Sequence, residues 1–240
     1  MTGEKILTSD KKNRIELLDG LRGLAVVLMV LHHFLYDLTE FAGLPKYFFT
    51  NPVFDVLHYI FASVFVIICG ISSDFSRSNI KRGLKTTVAA LIISAVTIAM
   101  DTPIIFGVLH MLAFCMLFYG ITQRLWEKIP GISLMIGCIV FGVLSVVLLN
   151  TVETDSHYLW IFGWDYSGFV SYDYFPLFPW LFIFMFGTVL GRYIRDNRFP
   201  DWFYRAKMPV FSTVGRYSLI IYMVHQPILY GITMIIKLFV

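Results

Sequence analysis

Long apolar runs separated by short polar punctuation make up most of this chain, and they predict helices that cross a bilayer. A crossing needs about 20 predominantly apolar residues in a helical repeat. Seven stretches meet or approach that length, at about 17–38, 53–71, 86–100, 104–123, 131–150, 176–194 and 217–236. They are continuous and do not alternate inside and outside residues, so they read as helices and not as strands of a membrane barrel. The expected fold class is therefore all-α: one polytopic membrane domain over residues 1–240, with 1–16 as a cytoplasmic N-terminal segment. The third run is short, and Asp101-Thr102-Pro103 leaves only a tight turn before the fourth, so these two could be merged or split.

Charge placement sets the orientation. With the N-terminus in the cytoplasm, the inner side or inner helix ends collect seventeen of the nineteen lysines and arginines, and only Lys46 and Lys237 fall outside. That is a strong positive-inside bias and predicts N-in, C-out. The loop from Thr151 to Phe175 has no lysine or arginine, carries Glu153, Asp155, Asp165 and Asp173 among many aromatics, and is expected outside. The net charge of +3 thus conceals a basic inner rim suited to lipid headgroups or an anionic ligand. Composition agrees: 58% of residues are hydrophobic and 15% are charged, well under the roughly 25% usual for a soluble domain. Cys69, Cys115 and Cys138 all lie in spans without CxxC spacing, so they predict neither disulfides nor a metal site. The first run lacks a small-residue cleavage site and is expected to remain as a span.

The first run, LRGLAVVLMVLHHFLYDL, carries Arg22, His32, His33 and Asp37. An ionisable side chain at mid-membrane costs about 2.5–3.5 kcal/mol on insertion scales, so such residues face the bundle interior or a wet cavity and are candidates for chemistry. Arg22 and His33 are eleven residues apart, which places them on one face within about 20° and about 16 Å apart along the axis. Asp37, one turn past His33, can orient its imidazole, and Asp19 can pair with Arg22. His32 points about 100° away and reads as a snorkelling or capping residue. His110 and His225 lie in other spans, and Pro227 predicts a kink around His225 and Gln226. The histidines show no HxxxH or HxxE spacing, so no metal is expected. A buried imidazole with a carboxylate suits general-base catalysis, the neutral ring taking a proton from an amine or hydroxyl as it attacks a carbonyl. No nucleophilic serine motif stands out, which favours direct transfer over an acyl-enzyme.

These residues carry a resemblance. The segment RIELLDGLRGLAVVLMVLHHFLYDL resembles the opening helix of bacterial membrane proteins related to heparan-α-glucosaminide N-acetyltransferase, and of the broader transmembrane acyltransferases that act on envelope components. FVIICGISS, GVLHMLAF, DYFPLFPWLFIFMFGTVLG and VGRYSLIIYMVHQP are similar to later segments of the same group, from about Arg14 to Pro227. The resemblance implies transfer of an acyl group, acetyl above all, from cytoplasmic acyl-CoA to an amine or hydroxyl of a sugar or envelope-glycan acceptor on the outer side of the cell membrane. It places Arg22 and His33 at the motif's arginine and histidine, and His110, His225, Gln226 and Arg216 in the later motifs. The animal lysosomal relatives carry their proposed catalytic histidine in the loop after the first span, and Thr39 to Asn51 here contains none.

The catalytic candidates are accordingly His33, Asp37, His225 and His110. Arg22, Arg77, Arg82, Lys85, Arg192 and Arg216 are the candidates for the phosphates of acetyl-CoA, with arginine favoured for its bidentate fork. The pantetheine arm is expected to rise through a continuous polar tunnel from Arg22 to His33. Asp173, Trp180 and Gln226 are the candidates for the acceptor, beside an outer aromatic belt that includes Trp160, Trp164 and Tyr172. Membrane lipid is the expected surrounding partner, nucleic acid is not expected, and a homodimer is left open. Two other readings remain: a small-molecule transporter or flippase with a buried His/Asp/Arg relay, although no inverted repeat is seen, and a non-catalytic scaffold.

Overall fold

A computed structural model describes residues 15–239, all helix, turn and loop without strands among them. The expected cytoplasmic segment, with Lys5, Lys11, Lys12 and Arg14, lies almost wholly outside the described residues. The helices are α1 (Glu16–Phe41), α2 (Pro52–Asp74), α3 (Asn79–Ala99), α4 (Val108–Trp126), α5 (Gly131–Thr151), α6 (Trp180–Arg195), α7 (Asp201–Arg205), α8 (Pro209–Arg216) and α9 (Ser218–Lys237). Six of them, α1 to α5 and α9, are long and apolar enough to cross a membrane, and the chain is a polytopic helical membrane protein.

Local chemistry explains where boundaries differ from the hydropathy reading. α3 starts seven residues earlier than expected, because the Ser78 side chain caps it by accepting from the Lys81 amide at 3.3 Å. α4 starts four residues later, after Gly107. α6 begins at Trp180, behind Pro176 and Pro179, and at 16 residues is shorter than its apolar run. α9 runs through Pro227 as one helix. α8 was not expected.

Two backbone-close contacts organise the bundle. A Cβ on Gly23 would fall 1.9 Å from the Phe211 carbonyl oxygen, and one on Gly215 would fall 1.9 Å from that of Asp19, so α8 lies directly on α1. Likewise a Cβ on Gly70 would meet the Phe184 carbonyl at 2.2 Å, and one on Gly187 that of Ile67 at 2.3 Å, which joins α2 to α6. Small residues at such crossings are how membrane helices gain packing contact without a hydrophobic driving force. Trp180 stacks with Tyr59 at one end of the α2–α6 pair and Arg195 binds Asp74 at the other, so the two helices run in the same sense. α3 pairs with α4, and α9 runs along α1 in the same sense, with His33 beside His225 and Phe41 beside Tyr230. α5 rests mainly on α6 and buries only Leu134 and Ser145. The main core joins Val66, Met111, Tyr119, Trp180 and Phe184 from α2, α4 and α6.

Candidate active site

Where the two glycine-joined groups meet, they enclose a cavity of about 50 Å³. Its walls are Met29 and His33 from α1, His58, Phe61 and Phe65 from α2, Val108 from α4, Tyr222 from α9, and Asp173 and Phe175 from the segment before α6. That volume holds a few waters. His33 is therefore on an internal face, as its spacing from Arg22 predicts.

The partners of His33 differ from the expected ones. Asp37, fully buried at 0% exposure, does not bond the imidazole one turn away; its Oδ1 accepts from Gln226 Nε2 at 2.9 Å. A carboxylate reaching across to a second helix finds a donor there, so Asp37 and Gln226 clamp α1 to α9. The clamp brings His225 alongside His33, with ring centroids 5.1 Å apart. His225 Nδ1 donates to the Tyr222 carbonyl at 2.7 Å, which fixes the tautomer and leaves Nε2 as the lone-pair nitrogen; that atom is buried and has no partner.

His110 is used differently. Its Nδ1 accepts from the Gly107 amide at 3.2 Å, and its Nε2 meets Ser94 Oγ at 3.1 Å. With both nitrogens engaged it caps the start of α4 and joins α4 to α3, away from the cavity wall. Trp180, expected at the acceptor mouth, is only 6% exposed and packs in the core between Tyr59 and Phe175.

Asp173 does face the cavity. Its Oδ2 accepts from the Tyr222 hydroxyl at 2.7 Å and from the Val108 amide at 3.3 Å. Gly107 is obligatory beside it, since a Cβ there would lie 2.5 Å from that oxygen. Burial pushes the Asp173 carboxyl above the usual carboxylate range, opposed by these two donors and by nearby His58 and His225. Sequence reasoning missed His58, which also faces the cavity. It lies in an apolar and aromatic stretch whose register with α1 becomes visible only in the folded bundle.

At the opposite end, Arg22 donates to Asp19 at 3.1 Å and to the Ser72 hydroxyl, and Arg82 donates to the Ser72 carbonyl at 2.9 Å. Asp74 binds Arg195 at 2.8 Å and accepts from Tyr119 at 3.1 Å. Arg192 reaches the same group, and its Nε and Nη2 are buried without a partner. Arg77, Lys85 and Arg216 are exposed. Between these cations and the cavity, Ala25, Val26, Val66 and Cys69 are only 0 to 6% exposed. The open polar tunnel expected there is thus closed by a layer of small and β-branched side chains from α1 and α2. Among the described residues no group of three His, Cys, Asp or Glu side chains could hold a metal ion.

An all-helical bundle with a histidine-lined internal cavity over a ring of arginines defines a polytopic membrane protein with ionisable groups in its interior. Residues 14–227 match the family profile described as heparan-alpha-glucosaminide N-acetyltransferase, catalytic, and the chain belongs to that family. Membership makes it a membrane acyltransferase in class, with N-acetyl transfer the family's general activity. Comparison with curated proteins and with solved structures returned no match.

Proposed function

We propose that the protein transfers an acyl group, acetyl first of all, from cytoplasmic acyl-CoA to an amine or hydroxyl of a sugar or envelope-glycan acceptor on the outer side of the cell membrane. The observation that carries this reading is that His33 and Asp173 line one internal cavity, with His225 beside His33, in a chain of this family. The parallel course of α2 and α6 supports seven crossings, with α6 as the short one, and hence the N-in, C-out arrangement of the charge count.

His33, at the cavity wall, is the general base that takes the proton from the attacking amine or hydroxyl. His225 stands beside it with its tautomer fixed by the Tyr222 carbonyl, and the Asp37–Gln226 clamp positions both rings. Asp173 holds the acceptor, most effectively an ammonium. Acyl-CoA, when bound, would supply the acyl group as an activated thioester, with coenzyme A as the leaving thiol. Arg192, with two unsatisfied donors, and the Arg22–Arg82 pair fit its phosphates, while exposed Arg77, Lys85 and Arg216 attract anions to the rim. Passage toward His33 requires α1 and α2 to part at the Val26–Val66 layer.

The test is His33→Ala in lipid nanodiscs, with radiolabelled acetyl-CoA and paired amine and hydroxyl sugar acceptors. Transfer should fall by about 10²–10⁴-fold, the usual range for a lost general base, while acetyl-CoA binding persists. Full transfer by the variant removes His33 from the mechanism. Acceptor movement across proteoliposomes without acylation would instead favour the transporter reading.

A further inference from the structure

His58 has no part in the chemistry above, yet it lines the cavity together with His33 and Asp173. It also meets His32, with ring centroids 4.5 Å apart and planes at 42°. The Nδ1 atoms of both rings are buried and lack hydrogen-bond partners. Unpaired buried imidazole nitrogens are destabilising, and rings at this separation are close enough for one water to pass a proton between them. Phe49 and Phe61 flank His32. The ionisable groups around the pair are His33, His225 and Asp173 on the cavity side and Asp55 on the other, where it acts electrostatically on both rings. Asp55 is exposed on the first turn of α2, one turn from His58.

We propose that His58 and His32 form a proton outlet from the cavity to the outer surface at Asp55, needed when the acceptor is an amine. The inference rests on the acyl-transfer reading and makes it more specific. An amine acceptor arrives as R–NH3+. Forming the N–C bond and breaking the C–S bond yields the amide and the free thiol. Of the three nitrogen-bound protons, one stays on the amide, one goes to sulfur and one is left over. A hydroxyl acceptor has a single proton, which goes to sulfur, so nothing remains to be exported. The His58–His32 pair therefore matters for one acceptor class and not for the other.

The experiment compares wild type with His32→Asn as full chains in nanodiscs, using acetyl-CoA with an amino sugar and with its hydroxyl counterpart, at a pH where the amine is protonated. In weak buffer the variant should lose at least about tenfold in kcat with the amine, recover it on addition of free imidazole, and keep its rate with the hydroxyl. Asp55→Asn, at an exposed position where folding is not at issue, should show a weaker form of the same pattern. An unchanged amine rate in His32→Asn overturns the outlet, as does a loss that is equal for both acceptors and insensitive to imidazole. If His32→Asn does not fold, a wild-type Asp55→Asn pattern with no acceptor preference overturns it too. A wild-type protein that acylates only hydroxyls overturns the outlet and leaves acyl transfer standing. One that acylates neither overturns both.

Discussion

Removing a single hydroxyl tests whether Asp173 works as a carboxylate. Tyr222→Phe deletes the shorter of its two donors, the 2.7 Å bond, and leaves the 3.3 Å bond from the Val108 amide. A hydrogen bond to a charged group contributes about 1.5–3 kcal/mol, and 1.36 kcal/mol corresponds to one pKa unit. Asp173 should therefore titrate higher in the variant, on top of the elevation that burial already imposes. The sign follows from the form that acts. In the proposed mechanism it is ionised Asp173 that holds an acceptor ammonium, so activity should be lost as pH falls through its pKa. Raising that pKa moves the loss to higher pH. In a plot of kcat/KM against pH for an amine acceptor, the acid limb of Tyr222→Phe should shift to higher pH, with the plateau rate little changed. The limb belongs to Asp173 if Asp173→Asn lowers the plateau and abolishes the shift. An acid limb that stays in place, or a loss that is uniform across pH, refutes the assignment of Asp173 as the charged acceptor-binding group.

Gly187→Ala would place a Cβ 2.3 Å from the Ile67 carbonyl and force α2 and α6 about 1 Å apart. Overpacking of this kind costs about 1–3 kcal/mol, read as a lower melting temperature in detergent; an unchanged melt would mean that the pair is not rigidly joined. Asp74→Ala strands the buried Tyr119 hydroxyl, costing about 1–3 kcal/mol, with little added by half-exposed Arg195. Asp74→Asn should recover most of that stability in the same melt, and equal losses would place the effect elsewhere. Arg192→Gln should weaken CoA binding at least about tenfold, or about 1.4 kcal/mol, by calorimetric titration; normal affinity moves the phosphates to Arg22 and Arg82.

Hydropathy alone locates the six long helices, because each is an unbroken apolar run. It misplaces ends wherever a cap or a proline decides them, as Ser78 does for α3 and Pro179 for α6. It passes over α8, which is too short for a spanning window yet lies directly on α1. Within the site, helical geometry correctly puts His33 on the internal face. The same geometry permits a His33–Asp37 bond one turn apart, but the carboxylate takes the amide of Gln226 on another helix. His110 reads as a catalytic candidate in one dimension, and in the fold Gly107 and Ser94 engage both of its nitrogens at the start of α4. His58 gives no signal in its own run, because its significance comes from lying across from His32.

The cavity is a consequence of how the glycines divide the bundle. Gly23 and Gly215 join α8 to α1, and α8 leads directly into α9, so Tyr222, His225 and Gln226 belong to the same packed group as His33 and Asp37. Gly70 and Gly187 join α2 to α6, so His58 belongs to the same packed group as the helix that follows Asp173. The cavity and the closed layer beneath it lie on the seam between the two groups, where α1 meets α2 through Ala25, Val26, Val66 and Cys69. Among the described residues no hydrogen bond crosses that layer from Val26 to Val66, whereas above it the Tyr222–Asp173 bond ties the groups together and below it Arg22 reaches Ser72. A chain threaded from the arginines to His33 would have to spread apolar side chains only, and the polar contacts at either end would keep the groups in register as it passed.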